Sequence, residues 1–142
     1  MRRVVVLCGP PGAGKTTAAR QSGMTVFDRD DPVWASEQQF TTSIARLAAD
    51  PHARAVVIRS GATSGARART RDLVAASHVF VMLADRQELV NRIKGRGRDD
   101  KVRTVAGVKT WFDRFDRNDG VQPFPGWSGI DEPDLGAMSE DW

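Results

Sequence analysis

The first patterned segment is Val4-Val5-Val6-Leu7-Cys8, a continuous apolar run rich in β-branched residues that stops at Gly9-Pro10-Pro11-Gly12. Such a run, with no polar alternation, predicts a strand covered on both faces, as in a parallel sheet. A helix is expected from about Lys15. Thr25-Val26-Phe27 reads as a second short strand, stopped by the polar cluster Asp28-Arg29-Asp30-Asp31-Pro32. From about Val33 to Ala49, Phe40, Ile44 and Leu47 recur at helical spacing and give one apolar face, ended at Asp50-Pro51. Ala55-Val56-Val57-Ile58 and His78 to Leu83 are the third and fourth strands, with a short Arg-rich helix between them. Asp85 is placed to cap a helix through Leu89 and Ile93. A last helix runs from roughly Val102 to Arg117 with Val105, Val108, Phe112 and Phe115 facing inward.

Strands that alternate with helices imply right-handed crossovers, hence a three-layer α/β/α sandwich around a short parallel sheet of about four strands. The 142 residues fit one domain with a real core and exclude a large multidomain motor. From Asn118 the composition changes: residues 118–142 hold four Gly, three Pro, six acids and no base. We therefore divide the chain into a body, residues 1–117, and an irregular acidic tail, residues 118–142. Phe124, Trp127, Ile130 and Leu135 give that tail apolar anchors for the body.

Charge sharpens the division. A net charge of +3 conceals a tail that is purely acidic, and the body taken alone carries +9. Clustered cations raise the local concentration of anionic ligands, and they also keep a small domain soluble; both readings fit. The lone cysteine, Cys8, sits in the apolar run and packs as a small hydrophobe, which fits a reducing compartment. Five apolar residues are too few for a signal-peptide core or a membrane span, so a cytoplasmic protein with no membrane partner is expected.

Gly9-Pro10-Pro11-Gly12-Ala13-Gly14-Lys15-Thr16 satisfies G-x-x-x-x-G-K-[ST], after a predicted strand and before a predicted helix. Gly9, Gly12, Ala13 and Gly14 let the backbone bend so that successive N–H groups face inward around phosphate oxygens, at a helix N-terminus that adds positive potential. Lys15 reaches the β- and γ-phosphates. The Thr16 hydroxyl is the expected oxygen ligand of Mg2+, and Thr17 is a packing residue or a secondary phosphate contact. ATP and Mg2+ are the expected ligands of this P-loop.

A P-loop followed by Asp28-Arg29-Asp30-Asp31 resembles the kinase domain of phage-type polynucleotide 5′-hydroxyl kinases, which carry Asn-Arg-Asp-Asp at this place. The resemblance covers roughly residues 3–100 in outline and is close only at these two motifs. It implies that Asp30 is the general base for the acceptor hydroxyl, that Arg29 matches the family's arginine, and that Asp28 replaces an asparagine. The segment Leu83 to Arg98 resembles the arginine-bearing lid of small-molecule, nucleotide and polynucleotide kinases. Arg92 and Arg96 share one helical face there, beside the loosening glycines Gly95 and Gly97. Either arginine would offset charge on the transferring phosphoryl group, or the pair is a solvated helix end.

The sequence departs from the wider pattern at the end of the third strand, where Ser60 stands in place of an acid that holds Mg2+ through water. Asp85, after the fourth strand, reads as a helix cap ahead of a metal-site acid. Thr16 and Asp28 are left as the metal positions. Arg59, Arg67, Arg69 and Arg71 form either a polyanion-binding cluster or an ordinary basic surface, and Trp34 either stacks on a base or is half-buried. The expected activity is transfer of the γ-phosphate of ATP to a hydroxyl on a nucleic-acid end or a nucleotide. A small-metabolite kinase and a nucleotide-binding ATPase switch are the alternatives. Oligomeric state is open.

Overall fold

The structure is a computed structural model that describes residues 1–95 and 101–130, with the side chains of residues 101–103 left aside. Five strands form one sheet: β1 (Arg3–Cys8), β2 (Thr25–Asp28), β3 (Arg54–Arg59), β4 (His78–Val81) and β5 (Gln122–Pro123). Their order is β2-β3-β1-β4-β5, and every neighbouring pair is parallel. The helices are α1 (Lys15–Gln21), α2 (Glu37–Ala45), α3 (Ser64–Val74), α4 (Arg86–Lys94), α5 (Lys101–Arg114) and the single turn α6 (Trp127–Ile130). A 3-10 turn, Arg46–Ala49, extends α2.

The apolar run of β1 lies at the centre of the sheet, fully buried from Val4 to Cys8. Alternation along a strand sends its side chains to two different layers. Val4, Val6 and Cys8 join Phe40, Ile44 and Val74 on the side of α2 and α3. Val5 and Leu7 face Ala18 and Ala19 of α1. The second face is completed by Phe124, Trp127 and Ile130, and the Trp127 indole N–H donates to the Ala18 carbonyl at 2.7 Å. Two covered faces make the predicted three-layer sandwich.

Two elements depart from the sequence expectation. The helix expected from Val33 starts at Glu37, because the Asp31 carboxylate accepts from the Val33 N–H at 3.0 Å and holds a turn there. Ser36 then caps the helix by accepting from the Gln39 N–H at 3.0 Å. The sheet also has a fifth strand where about four were expected. β5 is two residues long, lies at the edge beside β4, and tolerates Pro123 because an edge strand need not donate on its outer side.

Arg67 braces the same end of the molecule. It is 1% exposed, and its guanidinium donates to both Asp119 carboxylate oxygens at 3.0 and 2.9 Å and to the carbonyls of Gly61 and Asp116 at 2.8 and 2.6 Å. A buried arginine needs that many acceptors to offset its desolvation. Arg67 is therefore withdrawn from the basic surface in which the sequence placed it as one candidate. Among the described residues, no helix is long and apolar enough to cross a membrane.

Candidate active site

The carboxyl ends of β1, β2 and β3 meet at one edge of the sheet, where ligands of open α/β folds bind. β1 runs out into the loop Gly9–Gly14. A side chain at Gly9 would place its Cβ 2.5 Å from the Met82 carbonyl oxygen, so the loop passes β4 too closely for any other residue. Gly12 and Gly14 have φ of 79° and 90°, the left-handed region that glycine enters without strain. Gly14 is the N-cap of α1 and brings no side chain to its first turn. Ala13 points its N–H back to the Pro10 carbonyl at 3.3 Å. Thr17 is exposed on the first turn of α1.

Lys15 folds over this loop. Its ammonium donates to the Gly9 carbonyl and, at 3.2 Å, to that of Pro10. Burial pushes the Lys15 amine below the ordinary lysine range, against the pull of Cys8, Asp30 and Asp28. Burial likewise pushes the Cys8 thiol up to about 11.

The next residue, Thr16, donates its hydroxyl to Asp28 Oδ2 at 2.7 Å, while Asp28 Oδ1 accepts from the Asp30 N–H at 3.0 Å. One carboxylate thus ties the end of β2 to the start of α1 and fixes the turn that carries Asp30. Asp30 is exposed and lines a cavity of about 360 Å3 together with Gly9, Lys15 and Asp28. Thr16 and Asp28 fit Mg2+ as a pair of adjacent hard oxygen donors. Among the described residues no group of three or more His, Cys, Asp or Glu is placed to hold a metal, so the remaining ligands of such an ion would be phosphate oxygens and water.

Glu37, the first residue of α2, was not singled out by the sequence. Its carboxylate accepts from Arg29 Nε at 2.8 Å and from Arg59 Nη2 at 2.6 Å. The Arg59 hydrogen bond, helped by Arg29, holds the Glu37 carboxyl below the usual carboxylate range despite slight burial. Arg59 is itself seated over the buried Phe40 ring, 5.3 Å from its centroid.

On the opposite side, Arg92 extends from α4 to the P-loop, donating to the Gly12 carbonyl at 3.3 Å and to Glu88 at 2.8 Å. Arg96, its expected companion, lies outside the described residues. Asp85 caps α4 by accepting from the Glu88 N–H at 3.0 Å, as the sequence reading favoured. Trp34 packs with Phe27 and Phe40, at 6.3 and 5.2 Å between ring centroids, which makes it the half-buried core residue of the two readings.

No family model and no curated protein matches this sequence. Solved structures are similar in fold. A sugar kinase from Janibacter sp. HTCC2649 is 16% identical, with a TM-score of 0.64 over 86% of this chain and 83% of its own. A gluconokinase from Sinorhizobium meliloti 1021 is 14% identical, with a TM-score of 0.60 over 87% of this chain and 82% of its own. The chain shares the fold of these two kinases. Chaetomium thermophilum Kti12, solved in complex with ADP-AlF3, is also similar, 14% identical with a TM-score of 0.55 over 96% of this chain and 94% of its own. At these identities the likeness carries the fold alone.

Proposed function

We propose that the protein is an ATP-dependent kinase that transfers the γ-phosphate to a hydroxyl of a small acceptor, with Asp30 as the general base. The observation that carries this reading is the convergence of Lys15, Asp28 and Asp30 on one cavity of about 360 Å3 at the mouth of the P-loop. In this reading the amides around Gly12 and Gly14 and the first turn of α1 hold the phosphate chain. Lys15 exchanges its loop carbonyls for β- and γ-phosphate oxygens. Arg92, already over the loop, neutralises charge from the lid side, and Arg96, outside the described residues, is the second candidate for that role.

The acceptor oxygen attacks the γ-phosphorus in line, the bond from that phosphorus to the β–γ bridging oxygen breaks, and ADP leaves. The hydroxyl proton passes to the Asp30 carboxylate, which the Asp28 carboxylate positions through the Asp30 N–H. Bound Mg2+, held by Thr16 and Asp28, would supply charge neutralisation along the phosphates.

The cavity size supports a small acceptor. So does the loss of two features that a nucleic-acid partner would use: Arg67 is buried and Trp34 is packed against the core. The similar structures include a sugar kinase and a gluconokinase, in line with this choice. A second reading, a nucleotide or a polynucleotide 5′ end, is favoured by the sequence Asp28-Arg29-Asp30-Asp31 standing at the site. Incubation with γ-labelled ATP, Mg2+ and a panel of sugar acids, polyols, nucleosides and a 5′-hydroxyl oligonucleotide tests both. Label in a sugar acid or polyol supports the first reading and label in the oligonucleotide the second. Acceptor-independent phosphate release that ignores Asp30→Asn would overturn both in favour of a nucleotide switch.

A further inference from the structure

The cavity that holds Asp30 does not end at Glu37. A second cavity, of about 370 Å3, continues on the other side of it, and the two share Glu37, Arg59 and Ser60 as a common wall. The second is lined by Arg69 as well as Arg59, with the hydroxyls of Thr41 and Thr70 and no acid other than Glu37. At the junction of the two cavities a single carboxylate therefore occupies two guanidiniums, those of Arg29 and Arg59.

Nothing in the packing of the fold requires that carboxylate. Glu37 is exposed, with 54% of its side chain open to solvent, and α2 already has its cap in Ser36. An exposed ion pair contributes little to stability. Arg59, by contrast, is preorganised: its cation rests over the buried Phe40 ring, and its backbone stands opposite Cys8 of β1, one residue past the Ile58–Asp28 pairing with β2. A fixed guanidinium at the edge of a cavity is the chemistry that selects a carboxylate or phosphate.

We propose that Arg29 and Arg59 form an oxyanion subsite for the acceptor, which Glu37 fills as an internal competitor when no acceptor is bound. The inference rests on the kinase reading and narrows it: the acceptor carries a carboxylate or phosphate beside the hydroxyl that faces Asp30. Displaced from the arginines, Glu37 turns to solvent, and a neutral polyol of the same size is disfavoured because it leaves the internal pair in place. Glu37 is thus a specificity residue, and Arg59 the contact it guards.

The test uses the full chain saturated with Mg2+ and AMP-PNP, so that the P-loop is filled, and follows the Nε–H resonances of Arg29 and Arg59 during titration with sodium sulfate and, separately, sodium acetate. Sulfate stands for a phosphate group and acetate for a carboxylate. In Glu37→Gln, which keeps size and polarity, one of these anions binds about tenfold more tightly than in the wild type, the scale of one charge-assisted contact released. Glu37→Ala gives the same gain, and Arg59→Leu removes it in either background. Whichever anion binds more tightly names the acceptor's charged group. Equal affinities in wild type and both Glu37 variants, or shifts that survive Arg59→Leu, overturn the proposal. Failure of AMP-PNP to bind would instead count against the kinase reading, and the arginine resonances would still report on the subsite in the free protein.

Discussion

The Thr16 hydroxyl donates to Asp28 Oδ2 at 2.7 Å, joining the residue after the P-loop lysine to the last residue of β2. The other Asp28 oxygen holds the Asp30 N–H, so one side chain couples a proposed metal position to a proposed base. Asp28→Ala is expected to raise the Mg2+ concentration needed for half-maximal AMP-PNP binding by about tenfold, through loss of one hard-oxygen ligand or its water-bridging equivalent. Its melting curve should show a cost of about 1 kcal/mol for the lost hydrogen bonds. An unchanged Mg2+ titration would remove Asp28 from the metal site.

Lys15 predicts a pH dependence. Burial lowers the amine's affinity for its proton in the free protein, whereas a bound phosphate chain requires the ammonium. As pH rises, Lys15 in the free protein deprotonates below the ordinary lysine range, and each further pH unit weakens nucleotide binding by up to about tenfold. Fluorescence titration with a labelled ATP analogue from pH 7 to 10 should show this decline. Constant affinity across that range would place the lysine away from the phosphates.

Arg67 and Asp119 predict an acid-sensitive anchor. The hydrogen bonds from Arg67, assisted by the Val121 N–H, hold the Asp119 carboxyl below its usual range despite slight burial. A carboxylate with a depressed folded pKa stabilises the fold fully above its unfolded pKa and loses that contribution as pH falls through the folded value. The loss therefore begins as pH enters the ordinary carboxylate range and is complete only below the folded value. Asp119→Ala is expected to cost about 2–4 kcal/mol at neutral pH, because Arg67 stays buried and keeps only the Asp116 carboxylate, at 3.7 Å without a direct hydrogen bond. Urea unfolding from pH 7 to 3 should show the variant's disadvantage shrinking toward acid; a disadvantage independent of pH would mean the pair is not ionic.

How much of this was legible in the chain differs by residue. Val4 to Cys8 could be read because a central parallel strand is apolar on both faces, and Gly9 to Thr16 because its glycines are required by local geometry. The start of α2 was not, since Val33 belongs to the apolar periodicity while Asp31 and Ser36 hold the backbone in a turn up to Glu37. β5 has only two residues and one is Pro123, so it carries no strand signal of its own. Glu37 and Arg67 were hidden for another reason. Their roles depend on partners distant in sequence, Arg59 at 22 positions and Asp119 at 52, which only the folded sheet brings together.

Cys8 supplies a control for the packing of the site. Its side chain is fully buried in the layer of α2 and α3, close against Gly61, and its thiol is pushed up to about 11, so it is expected to resist alkylation by iodoacetamide at pH 8 in the native protein and to react on unfolding. Rapid labelling of the native protein would show that this layer of the core opens.

In the proposed reaction Asp30 serves the transfer step and the P-loop serves binding. The direct measurement is a comparison of wild type and Asp30→Asn, with AMP-PNP affinity determined by calorimetry and phosphoryl transfer from ATP determined for the acceptor that the panel identifies. We expect affinity to agree within about twofold while transfer falls by about 10²–10⁴, the range for loss of a positioned base. Transfer that survives the substitution, or affinity that falls along with it, would contradict the account.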